Sequence, residues 1–240
     1  MAILDNLTCF WSLEETSGNR ADSHGSMTLT DNNTVTSNTG KVGTAAEFAL
    51  ATNEYLSHAD HDDLEPGDAD FTLTCWVYLT TGVGTYPTFI SKAAHPNDYG
   101  YEIFYVDNEV KIWISPDGTG AALVTAAYAQ VMSLNTWYFV CAQYDAGANQ
   151  VSIAVNNGTP ATASETGGVF NGTGVFHIGT RMSGSDSNAR MNGRIDQVGF
   201  WKRKITADEI TWLYNSGNGR TYAEMYGIPV KMAQYRQRWS

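Results

Sequence analysis

The chain has 240 residues, with 14 Lys and Arg against 25 Asp and Glu, a formal net charge of −11. That acidic balance argues against nucleic acid or an anionic bilayer as the main partner. Hydrophobic residues make up 42% and aromatic residues 12%, enough for a sizeable core, yet no apolar run approaches the length of a membrane span.

In chain order, Met1–Asp5 lacks the basic region and apolar core of a secretion signal, which sets an expectation against export. Leu7, Cys9, Trp11 and Leu13 then fall in phase on one face, as in a half-buried strand. Further strand-like runs follow at Ala45–Phe48, Phe71–Leu79, Thr88–Ser91, Tyr101–Val106, Val110–Ser115, Trp137–Tyr144, Val151–Val155 and Val175–Gly179. Asp107-Asn108 and Asn156-Asn157-Gly158 read as hairpin turns. Many short strands with almost no helical periodicity predict a single β-sandwich domain over residues 1–222. Cys9, Cys75 and Cys141 fall in phase with apolar strand residues and read as buried, unpaired thiols. The acidic stretch Asp60, Asp62, Asp63, Glu65, Asp68 and Asp70 lacks the glycine and terminal glutamate of a calcium loop and reads as a solvated connection.

Near the C-terminus, Ile195, Val198, Phe200 and Trp201 mark a closing strand. Thr206 and Glu209 form a capping box for a short helix with Ile210, Leu213 and Tyr214 on one stripe, and Gly217 is placed to stop it. Residues 223–240 read as a basic tail, expected to dock on its own domain or on a partner through Lys231, Tyr235, Arg236, Arg238 and Trp239.

Gly193-Arg194-Ile195-Asp196-Gln197-Val198-Gly199-Phe200-Trp201, with the capped helix after it, resembles the closing signature of laminin-G-like, concanavalin A-type domains. Trp11-Ser12-Leu13-Glu14-Glu15, Ala21-Asp22-Ser23-His24-Gly25, Gly40-Lys41-Val42-Gly43, Phe71–Val77, Thr136–Val140 and Phe176–Gly179 extend the resemblance in the same order. It implies an all-β, two-sheet antiparallel jelly roll with one short C-terminal helix and with first and last strands side by side. It also implies a structural calcium ion at Asp22 and Asp196. Such an ion needs six to eight oxygens, so backbone carbonyls would complete the shell.

Some sandwiches of this type are glucanases, which set paired carboxylates at alternating strand positions. No Glu-x-Asp-x-x-Glu run occurs here, so catalysis is not expected. Trp76, Tyr78 and Trp113 alternate away from the apolar face of their strands and are the candidates for stacking on sugar rings. The expectation is a non-catalytic binding or structural module, seated on a phage virion surface as a capsid decoration or tail accessory protein, with other protein subunits as partners and glycan adhesion besides. A secreted or cell-surface carbohydrate-binding module, extracellular in location, and a glycoside hydrolase stand as alternatives.

Overall fold

The computed structural model describes residues 3–80, 85–94, 97–181 and 185–227. Strands are numbered in chain order. One antiparallel sheet runs β13 (Ala161–Ser164), β12 (Gln150–Val155), β11 (Trp137–Asp145), β6 (Phe71–Leu79), β15 (Gly193–Trp201), β4 (Thr44–Phe48), β3 (Thr36–Thr39), with β1 (Leu7–Trp11) also on β15. The other runs β10 (Val124–Ala129), β9 (Glu109–Ile114), β8 (Asp98–Val106), β7 (Thr88–Ala94), β14 (Phe176–Ile178), β5 (Tyr55–His58), β2 (Thr30–Asn32). This is the expected two-sheet jelly roll, and its first and last strands are neighbours.

Alternation within each strand builds the core between the sheets. Leu73, Cys75 and Val77 of β6, Val140 and Ala142 of β11, and Ile195, Val198 and Phe200 of β15 meet Ile90, Ile103, Ile112 and Ile178 of the facing sheet. Trp11 stacks on Phe176 at 5.2 Å, tying the N-terminal strand to the opposite layer. Strand β15 changes partners along one edge. Gly193–Ile195 pairs with β4, and Val198–Trp201 pairs with β1. The switch falls at a bulge between Asp196 and Gly199, where Gln197 takes φ 49°.

A second apolar cluster lies on the outer face of the eight-stranded sheet. Phe10, Trp76, Phe139, Cys141 and Trp201 of the strands are roofed by Ile3, Ile205, Leu213 and Met225. The roof includes α1 (Ala207–Tyr214), which carries the expected capping box of Thr206 and Glu209. Its left-handed terminator is Asn215 (φ 49°), with Gly217 closing one further turn, because asparagine also tolerates that conformation. A five-residue helix, α2 (Tyr222–Tyr226), follows on a second capping box of Thr221 and Glu224.

Helix α2 crosses the expected domain boundary at residue 222 and buries Met225, so the globular unit reaches Gly227. Lys231, Tyr235, Arg236, Arg238 and Trp239 lie outside the described residues. The three cysteines are free and buried, and desolvation pushes the Cys141 thiol up to about 12.

The acidic stretch is the expected loop between two strands, with Asp62, Asp63 and Asp68 exposed, but several of its carboxylates are held by groups beneath it. The Lys92 ammonium, only 4% exposed, donates to Asp60 at 2.8 Å, Glu65 at 2.7 Å and the Gly172 carbonyl at 3.0 Å. Asp68 accepts from the Tyr144 hydroxyl, and Asp70 accepts from the Ala146 amide. The carboxylates fasten a loop to the strands beneath it.

Candidate functional site

The sequence placed Trp76, Tyr78 and Trp113 on outward faces, and the strand registers agree. What covers those faces decides which ring is available. Trp76 is 2% exposed, stacked under Tyr214 of α1 at 5.9 Å and packed against Phe139 at 5.3 Å. Trp113 is 5% exposed, with the edge of Tyr99 against it at 5.6 Å. Neither presents a free face to a sugar, which corrects the expectation for both. Tyr78 alone of the three remains half-exposed.

Beside Tyr78 lies Trp137, half-exposed at the start of β11, its ring 5.2 Å from the tyrosine ring. Trp137 was not among the sequence candidates; its alternation with the buried Tyr138 and its register opposite Tyr78 are the signals that could have placed it on this face. The register continues the row: Trp137 opposite Tyr78, Tyr78 opposite Arg194, Arg194 opposite Glu47, and Glu47 opposite Thr36. Five strands therefore contribute one residue each to a line across the outer face, at the margin of the roofed cluster, against which Trp137 packs.

The polar half of the row is internally braced. Arg194 lies over the Tyr78 ring at 4.8 Å, donates from Nε to Glu47 at 3.1 Å and from Nη1 to the Thr39 carbonyl at 3.1 Å. Asn38 donates to both Glu47 oxygens at 3.1 Å. The result is a rigid strip with two aromatic rings at one end and a charge-balanced polar surface at the other. Val131 and Leu134 are exposed on the connection into β11, whose Asn135 amide donates to the Leu79 carbonyl at the end of β6.

Asp22 and Asp196 do not fit a shared calcium site. Asp22 accepts from the Phe10 amide at 3.0 Å, the His24 amide at 2.9 Å and the Met27 amide at 3.1 Å, occupying both its oxygens. Asp196 holds the β3–β4 turn through Oδ2, which accepts from Lys41 and Val42 at 2.8 and 2.9 Å. Its Oδ1 and the neighbouring Gln197 Oε1 are buried with no hydrogen-bond partner. Burial pushes the Asp196 carboxyl up to about 7, with Glu14 adding to the rise and the two amides opposing it. No group of three or more His, Cys, Asp or Glu side chains suited to a metal ion occurs among the described residues.

On the other sheet, Arg181 stands 2.7 Å from Asp186 and 3.5 Å from Glu102. Glu102 is fully buried, accepts from Thr88 and has its carboxyl pushed up to about 6 by desolvation. Because no solvent reaches Glu102, a substrate oxygen could not reach it either, and the cluster holds strands and a loop together.

A model of the concanavalin A-like lectin/glucanases superfamily matches residues 50–211. No curated protein matches the chain. Among solved structures, the binding domain of Paraclostridial Mosquitocidal Protein 1 superimposes with a TM-score of 0.71 at 14% identity, over 89% of this chain and 52% of that one. Domain 4 of AbnA, a GH43 extracellular arabinanase from Geobacillus stearothermophilus solved with arabinotriose, gives 0.66 at 16% identity over 90% and 98%. The binding domain of botulinum neurotoxin serotype C1 gives 0.67 at 13% identity over 88% and 52%. The chain thus spans about half the length of the two toxin binding domains and nearly all of the arabinanase domain. At these identities the likeness is one of fold.

Proposed function

The chain belongs to the concanavalin A-like lectin/glucanases superfamily, and from that premise we propose that it is a non-catalytic carbohydrate-binding module. The observation that carries this reading is the half-exposed row of Trp137, Tyr78, Arg194 and Glu47 on the outer face of the eight-stranded sheet, at the margin of the roofed cluster. Aromatic faces suit the apolar face of a sugar ring, and braced hydrogen-bonding groups beside them suit its hydroxyls. The arabinanase domain solved with arabinotriose supports the reading.

A glycan array with the intact chain tests the proposal. Saturable binding to at least one glycan class is expected, and Trp137→Ala should weaken it by about 2 kcal/mol, roughly thirtyfold. Wild-type protein that binds no glycan, or Trp137→Ala protein that binds normally, overturns it.

A further inference from the structure

We infer that the ligand of this row is an uncharged, linear oligosaccharide lying across the strands and occupying roughly four sugar rings. The inference rests on the carbohydrate-binding reading and specifies the shape and charge of what is bound.

Length comes from the register. Trp137, Tyr78, Arg194, Glu47 and Thr36 stand on five adjacent strands. Neighbouring strands are about 4.8 Å apart, so the row measures about 19 Å, room for roughly four rings end to end. Strand β3 is the last of its sheet on this side, and its Thr36 and Asn38 are exposed. On the other side, pairing of β12 with β11 begins only at Val140, leaving Trp137 beyond the paired segment. The row therefore runs toward an edge at both ends, as suits the middle of a chain more than a single terminal sugar in a cup.

Charge comes from the pairing. Arg194 is matched by Glu47 at 3.1 Å, so the strip offers one cation and one carboxylate already satisfied by each other. Binding an anionic sugar at Arg194 would set it against Glu47, on a protein of net charge −11. Neutral hydroxyls instead find a donor on Arg194 Nη2 and acceptors on the remaining lone pairs of Glu47, which Asn38 holds in place, without displacing the pair.

The two ends then divide the work. The aromatic end anchors one or two rings, and Asn38, Glu47 and Thr36 read the rings beyond.

The test is calorimetric titration of the full chain with neutral gluco-, xylo-, manno- and arabino-oligosaccharides of two to six rings, and with polygalacturonate as the anionic probe. Affinity should climb with each ring up to about four and then level off. Asn38→Ala, an exposed substitution, should cost about tenfold for the tetrasaccharide and leave the disaccharide unchanged. A melting curve for each variant confirms that it is folded. A disaccharide that binds as tightly as the tetrasaccharide, or preferential binding of polygalacturonate, overturns this inference and leaves glycan binding standing. Failure to bind any probe, array glycans included, overturns both.

Discussion

Asp196 is the residue whose role shifted most between sequence and structure. Its position in the closing strand was legible, since it is the one acid in Gly193–Trp201. Its duty was not, because that depends on the Lys41 and Val42 amides some 150 positions away in the chain. A buried carboxyl whose pKa rises to about 7 binds its proton more tightly in the folded state than in the unfolded one, where the value is about 3.9. Its contribution to stability is complete below about pH 4 and is lost as pH rises to about 7. Asp196→Asn keeps an acceptor for both amides and gains a donor for Gln197, so in the presence of a chelator it should melt higher than wild type at pH 8. The advantage should shrink toward zero at pH 4, with on the order of 4 kcal/mol as its upper bound. Equal melting temperatures at both pH values would contradict this account. Lys92 makes the opposite case. Replacing it by Ala strands Glu65, whose side chain is only 6% exposed, and should cost about 3–5 kcal/mol in urea unfolding. Adding Glu65→Gln to that variant should recover part of the loss, and no recovery would mean that the lysine stem matters more than its charge.

At the scale of elements, the alternation rule succeeded and then reached its limit. It put Trp76 and Tyr78 on one face, and the face is real, with Trp137 added to it by the register of β11. It could not say that α1 ends over Trp76 and leaves Tyr78 and Trp137 half-exposed at the margin of the roofed cluster, because coverage depends on where a distant helix docks. Edge strands were missed for a related reason: β2, β3 and β13 read Thr-Asp-Asn, Thr-Ser-Asn-Thr and Ala-Thr-Ala-Ser, with no apolar period to betray them. They form because a neighbour supplies half the hydrogen bonds, and their polarity protects a sheet edge from pairing with another chain. Helix α2 could have been found, since Thr221 and Glu224 repeat the spacing of Thr206 and Glu209. The α1 box is itself reinforced, for Arg203 donates to both Glu209 oxygens at 2.8 Å. Thr206→Ala should therefore cost about 1 kcal/mol and lower the melting temperature by about 2–4 °C. Glycan affinity should be unchanged, since the lost cap loosens the first turn of α1 while Tyr214, which covers Trp76, sits in its last turn. A parallel fall in affinity would mean that α1 shapes the platform.

For the whole molecule, the family match and the folding unit do not coincide. The matched residues 50–211 omit β1, β3 and β4, all of which belong to the eight-stranded sheet, together with β2 of the other. Without them β15 keeps β6 on one side and presents a bare edge on the other, from Gly193 to Trp201. Trp11, Leu13, Met27, Leu29, Val35 and Phe48, each 4% exposed or less, would also leave the core. At about 1.5–3 kcal/mol for each large side chain, their removal exceeds the net stability of about 5–15 kcal/mol that a domain has. A fragment of residues 50–211 should show no cooperative urea transition and no native near-ultraviolet aromatic signal, whereas residues 3–227 should show both. The difference arises because the last long strand completes its hydrogen bonding only with strands from the beginning of the chain. A cooperative transition in the 50–211 fragment would mean that β15 is held by β6 and the facing sheet alone, and that the N-terminal strands are an addition to a finished sandwich.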